Sequence, residues 1–161
     1  LYHILDYTKF MDEKYLLLAI EKSKESVDKS GFPAGAIIVK DKMIVSTGYN
    51  GSVKGNPHCD EIGHTMRDGH CIATIHAEMN ALLYCAKEGI SVKGCRAYVT
   101  HFPCVRCMPL VLQAGINKIY YLHAYNIDPF CIELAKQTGC ELIQLESELT
   151  TIYNNLGKVI N

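Results

Sequence analysis

Three side chains suited to one zinc ion, His76, Cys104 and Cys107, lie in two short segments far apart in the chain, and a fold that uses them must bring them to one point. The first segment reads Thr74-Ile75-His76-Ala77-Glu78 and the second Phe102-Pro103-Cys104-Val105-Arg106-Cys107. Two thiolates and an imidazole fill three positions of a tetrahedral zinc site and leave the fourth to water. Glu78 stands two residues beyond the first ligand, where a proton shuttle is wanted. A closed structural site needs a fourth protein ligand, but the carboxylate is more useful beside an open position. Zinc lowers the pKa of bound water to about 7, and a glutamate within hydrogen-bond reach of that water can move its proton.

Local pattern places both segments at helix starts. Met79, Leu82, Leu83 and Ala86 give the stretch from Glu78 to Lys87 a helical apolar period. His76 is therefore expected at or just before the first turn. Residues two apart do not share a mid-helix face, yet in the first turn a glutamate can reach back toward a metal held by His76. Pro103 is expected to open a second helix on which Cys104 and Cys107 share a face. Two helix N-termini at one site favour an anionic cluster. Pro109 falls inside this second helix and removes a backbone bond, so the helix either starts effectively near Cys107 or is kinked. A lone C-x-x-C serves redox or structural-zinc roles as readily as catalysis. Its occurrence with the preceding proline and with His-Ala-Glu selects a catalytic zinc.

The 161 residues are 48% hydrophobic and 20% charged, as for one soluble globular domain, taken as 1–161. Lys+Arg number 16 and Asp+Glu 17, a net charge of −1 without a basic run. A nucleic-acid polymer is therefore disfavoured as a partner. No apolar run approaches the roughly 18 residues of a membrane span. The chain opens Leu1-Tyr2-His3, without Met, as a trimmed start would. Eight cysteines suggest disulfides in a small secreted domain, but the length and the C-x-x-C beside a His motif fit metal ligation in a reducing cytoplasm better. Cys85, Cys95, Cys131 and Cys140 lie in apolar settings and read as buried thiols.

Along the chain, 11–29 reads as a helix broken by Ser30-Gly31-Phe32-Pro33. Strands are expected at 35–39 and 43–47 around a Lys40-Asp41-Lys42 turn. The stretch 48–71 reads as a long loop, which in a compact domain is either functional or wrongly assigned. After the helix from Glu78 come a strand at 95–100, a helix at 104–114, a strand at 118–122, a helix at 128–138, a strand at 141–145 and a short helix at 146–154. Strands alternating with helices after a first hairpin imply a three-layer α/β/α fold on a five-stranded mixed sheet.

These residues resemble the deoxycytidylate (dCMP) deaminases of the zinc-dependent cytidine deaminase superfamily. The resemblance is carried by Gly48-Tyr49-Asn50-Gly51, His58-Cys59, Asp68-Gly69-His70-Cys71, His76-Ala77-Glu78-Met79-Asn80-Ala81, Tyr98-Val99-Thr100, Pro103-Cys104-x-x-Cys107 and Ala114-Gly115-Ile116. H-x-E with P-C-x-x-C marks the whole superfamily. The Gly-Tyr-Asn-Gly element and the following His/Cys-rich loop resemble the dCMP branch, most of all bacterial and phage members. The resemblance implies hydrolysis of dCMP to dUMP and ammonia, feeding dTMP synthesis. It implies His76, Cys104 and Cys107 as zinc ligands and Glu78 as the group that moves protons among water, ring nitrogen and departing amine. Asn50 is implied at the sugar, Ala77 and the segment of Thr100, Phe102 and Pro103 around the pyrimidine, and Tyr125 near the nucleotide. Family likeness further implies a hexamer activated by dCTP with Mg²⁺ and inhibited by dTTP, in the cytoplasm, or the host cytoplasm if phage-encoded. Two departures stand out. Position 73 is Ala where bacterial relatives tend to carry a basic residue, and Pro109 replaces a Lys-like position.

The loop holds His58, Cys59, His64, His70 and Cys71 within 14 residues. Four of these would close a second, structural zinc and pin a loop too polar to build a core. Cys59, His64 and Cys71 are the first three choices, with His70 or His58 fourth. Lys54 and Arg67 lie in the same loop, and a monophosphate calls for at least one cation from here or from a neighbouring subunit. Two other functions compete. A tRNA or free-nucleoside deaminase is opposed by the missing basic patch and by the Gly-Tyr-Asn-Gly element. A non-catalytic zinc module is opposed by Glu78, since a structural site needs no carboxylate beside an open position.

Overall fold

The structure, a computed structural model, describes residues 2–26 and 33–145. The elements in order are α1 (Tyr2–Ser23), β1 (Gly35–Lys40), β2 (Met43–Tyr49), β3 (Gly51–Ser52), α2 (Cys59–Ile62), β4 (Met66–Arg67), β5 (His70–Cys71) and β6 (Thr74–Ile75). There follow α3 (Ala77–Glu88), β7 (Arg96–His101), α4 (Met108–Gln113), β8 (Lys118–His123), α5 (Pro129–Thr138) and β9 (Glu141–Gln144). The main sheet has five strands in the order β2-β1-β7-β8-β9. β1 pairs antiparallel with β2 and β7, whereas β7, β8 and β9 run parallel. This is the expected mixed sheet.

Period-two alternation sorts the strands' side chains into two cores. Ala36, Ile38, Ala97, Val99, Ile119 and Tyr121 pack with α3, α4 and α5 on one face. Ile37, Val39, Tyr98, Tyr120 and Leu122 meet Tyr15, Leu16, Ala19 and Ile20 of α1 on the other. The result is the expected three layers. On the α1 face Tyr98 stacks on Tyr120, with centroids 4.6 Å apart, and its hydroxyl donates to buried Asp12. No helix among the described residues is long and apolar enough to cross a membrane.

Several boundaries differ from the sequence pattern. α1 ends at Ser23 rather than at 29, where the Ser23 hydroxyl donates to the Ile20 carbonyl at 2.6 Å. The stretch read as a loop from 48 to 71 contains β3, α2 and the small β4–β5 hairpin. These elements are two to four residues long, too short to show a hydrophobic period. Asp128 caps α5 instead of opening it, accepting from Phe130 N at 2.9 Å. The helix expected at 146–154 lies outside the described residues.

Gly48 explains part of the Gly-Tyr-Asn-Gly element. A Cβ on it would collide with the Ala77 carbonyl oxygen and lie 2.6 Å from Ala81 N, so only glycine lets the first turn of α3 rest on β2. Asn80 ties the same contact from the helix side, its amide donating to Tyr49 O at 2.7 Å. We predict that Gly48→Val destabilises the protein by about 2–3 kcal/mol through overpacking against backbone. Thermal unfolding should move down by roughly 4–12 °C for a domain of this size. An unchanged melting temperature would show that α3 does not bear on this strand.

Candidate active site

The site forms where the first turn of α3 meets the C-terminal end of β7. His76 is extended at the N-cap of α3, so its ring leaves the helix axis and Glu78 falls in the first turn. After β7, Phe102 N donates to His123 O at 3.0 Å, and the chain then turns tightly at Cys104. Cys107 N and Met108 N both donate to Cys104 O, at 3.0 and 2.9 Å. Of the two arrangements Pro109 allowed, the helix starting near Cys107 is the one found: it begins at Met108 with Cys107 as N-cap and Pro109 in its first turn, where a proline N–H would have had no partner anyway. Cys104 and Cys107 come together through this turn rather than on a helix face.

The three ligating atoms converge. His76 Nδ1 lies 3.6 Å from Cys104 Sγ and 3.5 Å from Cys107 Sγ. Zinc bonds of about 2.0–2.1 Å to nitrogen and 2.3 Å to sulfur at tetrahedral angles put such ligand atoms about 3.6 Å apart. The donor set thus fits zinc in both chemistry and size. The bond to Cys104 raises the His76 imidazole above its ordinary range. Contact with Cys107, against burial, holds the Cys104 thiol well below its own. Burial pushes the Glu78 carboxyl up, opposed by the neighbouring His76 and by Cys107. Glu78 is thus a carboxyl able to carry a proton in a site where charge is costly.

A cavity of about 590 Å³ opens onto Glu78 and is also lined by Asn50, Ala77, Thr100, Phe102 and Tyr125. Asn50 is buried, and its side-chain oxygen accepts from Ala34 N at 2.7 Å, so this oxygen braces the wall. Thr100 is wholly buried and accepts from Gly35 N at 3.0 Å. Phe102 is buried edge-on to Tyr121, and Tyr125 is 50% exposed. Pro103 is fully buried and is not among the residues that line the cavity. Lys54 and Arg67 do not line it either. The sequence reading passed over His101, a cavity residue flanked by Thr100 and Phe102, and Asn80, the tether described above. The signal for Asn80 was an asparagine in the first turn of a helix, where it has a local bonding role more often than a packing one.

A second group lies beside the first. Ligating atoms of Cys59, His64 and Cys71 all fall within 4.8 Å of one another. Cys59 Sγ and Cys71 Sγ are 3.6 Å apart, close to the roughly 3.8 Å expected between two sulfurs on one zinc. The Thr74 hydroxyl touches both sulfurs, at 3.3 and 3.4 Å. Burial raises the Cys71 thiol, but bonds with Thr74 and His64 outweigh it and bring it down to about 6. His70 and His58, the expected fourth ligands, are not in this group; His70 lines the cavity instead. Cys85, Cys95, Cys131 and Cys140 are buried with thiols raised by burial, away from both groups.

A three-atom metal cup at strand ends, with a proton-carrying carboxyl beside it and a cavity in front, defines a metal-dependent hydrolase site. Residues 10–123 match the family described as cytidine and deoxycytidylate deaminase zinc-binding region, and the chain belongs to that family. It is 47% identical over 112 residues to ComE operon protein 2 of Bacillus subtilis, a match that covers 70% of this chain and 59% of that protein. It is 31% identical over 150 residues to the deoxycytidylate deaminase of Enterobacteria phage T2, covering 69% of this chain and 80% of that one. The dCMP deaminase of cyanophage S-TIM5, solved in complex with dCMP and dUMP, superposes with a TM-score of 0.71 at 34% identity, covering 83% of this chain and 95% of that one.

Replacing either Cys104 or Cys107 by Ala is expected to remove the metal of this site. Elemental analysis of the purified variants checks it, and a full complement of zinc in either would show that the sulfur is not a ligand.

Proposed function

We propose that the protein converts dCMP to dUMP and ammonia. One observation carries the reading: His76, Cys104 and Cys107 converge at 3.5–3.6 Å on the cavity that also holds the Glu78 carboxyl. The S-TIM5 relative, bound to dCMP and dUMP, supports the choice of nucleotide. Zinc, when bound to His76, Cys104 and Cys107, supplies Lewis acidity and makes hydroxide available at neutral pH. Glu78 takes a proton from water as its oxygen attacks ring carbon C4 and delivers one to the ring nitrogen. It then passes a proton to the amine, which leaves as ammonia. Its raised pKa suits this work, because the carboxyl must be an acid as readily as a base. Ala77, Thr100 and Phe102 wall the base, and Asn50 faces the sugar.

Three finer proposals follow from the residues and the family likeness. Cys59, His64 and Cys71 hold a second, structural zinc, a reading supported by their mutual fit. Residues 1–161 act as one domain and assemble as a hexamer in the cytoplasm. dCTP with Mg²⁺ activates and dTTP inhibits by binding different quaternary states. The last two rest on the resemblance alone.

The direct assay is ammonia release from dCMP, with deoxycytidine, dCTP and a tRNA stem-loop in parallel. dCMP is expected to be preferred strongly. Equal kcat/KM for dCMP and deoxycytidine would overturn the substrate assignment. Glu78→Ala should abolish turnover, by more than the ~10²–10⁴ of a single acid–base step, while retaining zinc; loss of the metal with the glutamate would make Glu78 a ligand. Two zinc equivalents per chain are expected after purification without chelator. Cys59→Ser combined with Cys71→Ser should remove one of them and lower the melting temperature. A wild-type count of one would reject the second site.

A further inference from the structure

A phosphate is ordinarily met by lysine, arginine or aligned N–H groups. Among the described residues that line the cavity, none is Lys or Arg. Two are acids, Glu78 and Asp128, and Asp128 already accepts from Phe130 N. Besides the zinc-ligand His76, the lining imidazoles are His70 and His101. They come from different elements, His70 from the exposed β4–β5 hairpin and His101 from the end of β7.

His101 sits beside a polar pair. Gly35 N donates to Thr100 Oγ1 at 3.0 Å. The Thr100 hydroxyl donates to Gly35 O at 3.5 Å, and its oxygen lies 3.0 Å from His101 Nδ1. A neutral imidazole carries one ring N–H. His101 is opposite His123 in the β7–β8 ladder, with ring centroids 5.1 Å apart, and Tyr125 meets it edge-on at 6.4 Å. Burial and the neighbouring His123 push its pKa down to about 4. It is thus a neutral imidazole, whose ring N–H can donate but which brings no cation into the cavity.

We propose that His70 and His101 select the phosphorylated substrate, holding the phosphate oxygens through imidazole N–H groups where the described cavity wall carries no Lys or Arg. The proposal rests on the dCMP reading above and assigns its specificity to two residues. His101 supplies a donor from the end of β7, and His70 supplies one from the β4–β5 hairpin.

Steady-state kinetics of the full chain with dCMP and deoxycytidine test it, on the wild type and on His70→Ala, His101→Leu and His101→Gln. The ratio of kcat/KM for dCMP to that for deoxycytidine should fall about tenfold or more in His70→Ala and His101→Leu, chiefly through KM for dCMP. His101→Gln keeps an N–H donor near the Nε2 position and should recover part of the loss. An unchanged ratio in both His70→Ala and His101→Leu would overturn the proposal. So would equal losses on both substrates, the mark of a structural role. Exposed His70 can be replaced without disturbing packing, so that variant decides even if His101→Leu does not fold. A wild type that shows no preference for dCMP fails the substrate reading itself, before any variant is made.

Discussion

The structure depends on bringing one imidazole and two thiols to a single point from segments that are not neighbours in sequence. Every larger feature serves that convergence. β7 delivers the Cys104–Cys107 turn at its C-terminal end, and α3 delivers His76 at its N-cap. The two meet only because Gly48 lets the first turn of α3 lie against β2, which is joined to β7 through β1. Their mutual contacts raise His76 and lower Cys104, and a divalent cation would take the imidazole and both thiolates as ligands together.

The second group is coupled to the first by a short piece of chain. Thr74 contacts both Cys59 and Cys71, and two residues later the chain reaches His76. β6 is also paired with β3, directly after Asn50. The polar segment from 53 to 73 has little apolar material of its own, so sulfur, imidazole and hydroxyl contacts take the place of a core there. This gives the cavity one wall made by the main sheet and another made by the hairpin that carries His70 and Cys71.

The catalytic group was legible in the sequence because its chemistry is dense: few segments combine His-Ala-Glu with Pro-Cys-x-x-Cys. The layers were legible because β1, β7 and β8 alternate cleanly between two buried faces. What was not legible has a physical reason in each case. Pro109 left two arrangements open for the cysteine pair, a kinked helix from Cys104 or a helix starting near Cys107, because i,i+3 spacing suits both; the backbone bonds to Cys104 O and the N-cap at Cys107 select the second. Pro103 was placed around the pyrimidine by family likeness, and in the structure it is buried between two residues, Phe102 and Cys104, that line the cavity. His70 or His58 was expected as a fourth ligand because each adjoins a cysteine of the second group in sequence, and adjacency in sequence does not bring a ring nitrogen to the same point. His101 was passed over because a histidine in a buried strand carries no pattern, and its meaning comes from Thr100, His123 and Tyr125 around it.

Anomalous diffraction at the zinc absorption edge, on crystals grown without added metal or chelator, tests the central claim most directly. The account predicts a zinc peak about 2.3 Å from Cys104 Sγ and Cys107 Sγ and about 2.0–2.1 Å from His76 Nδ1, with the Glu78 carboxylate outside bonding distance. A map with no peak at that point, or one in which Glu78 closes the coordination shell, would contradict it.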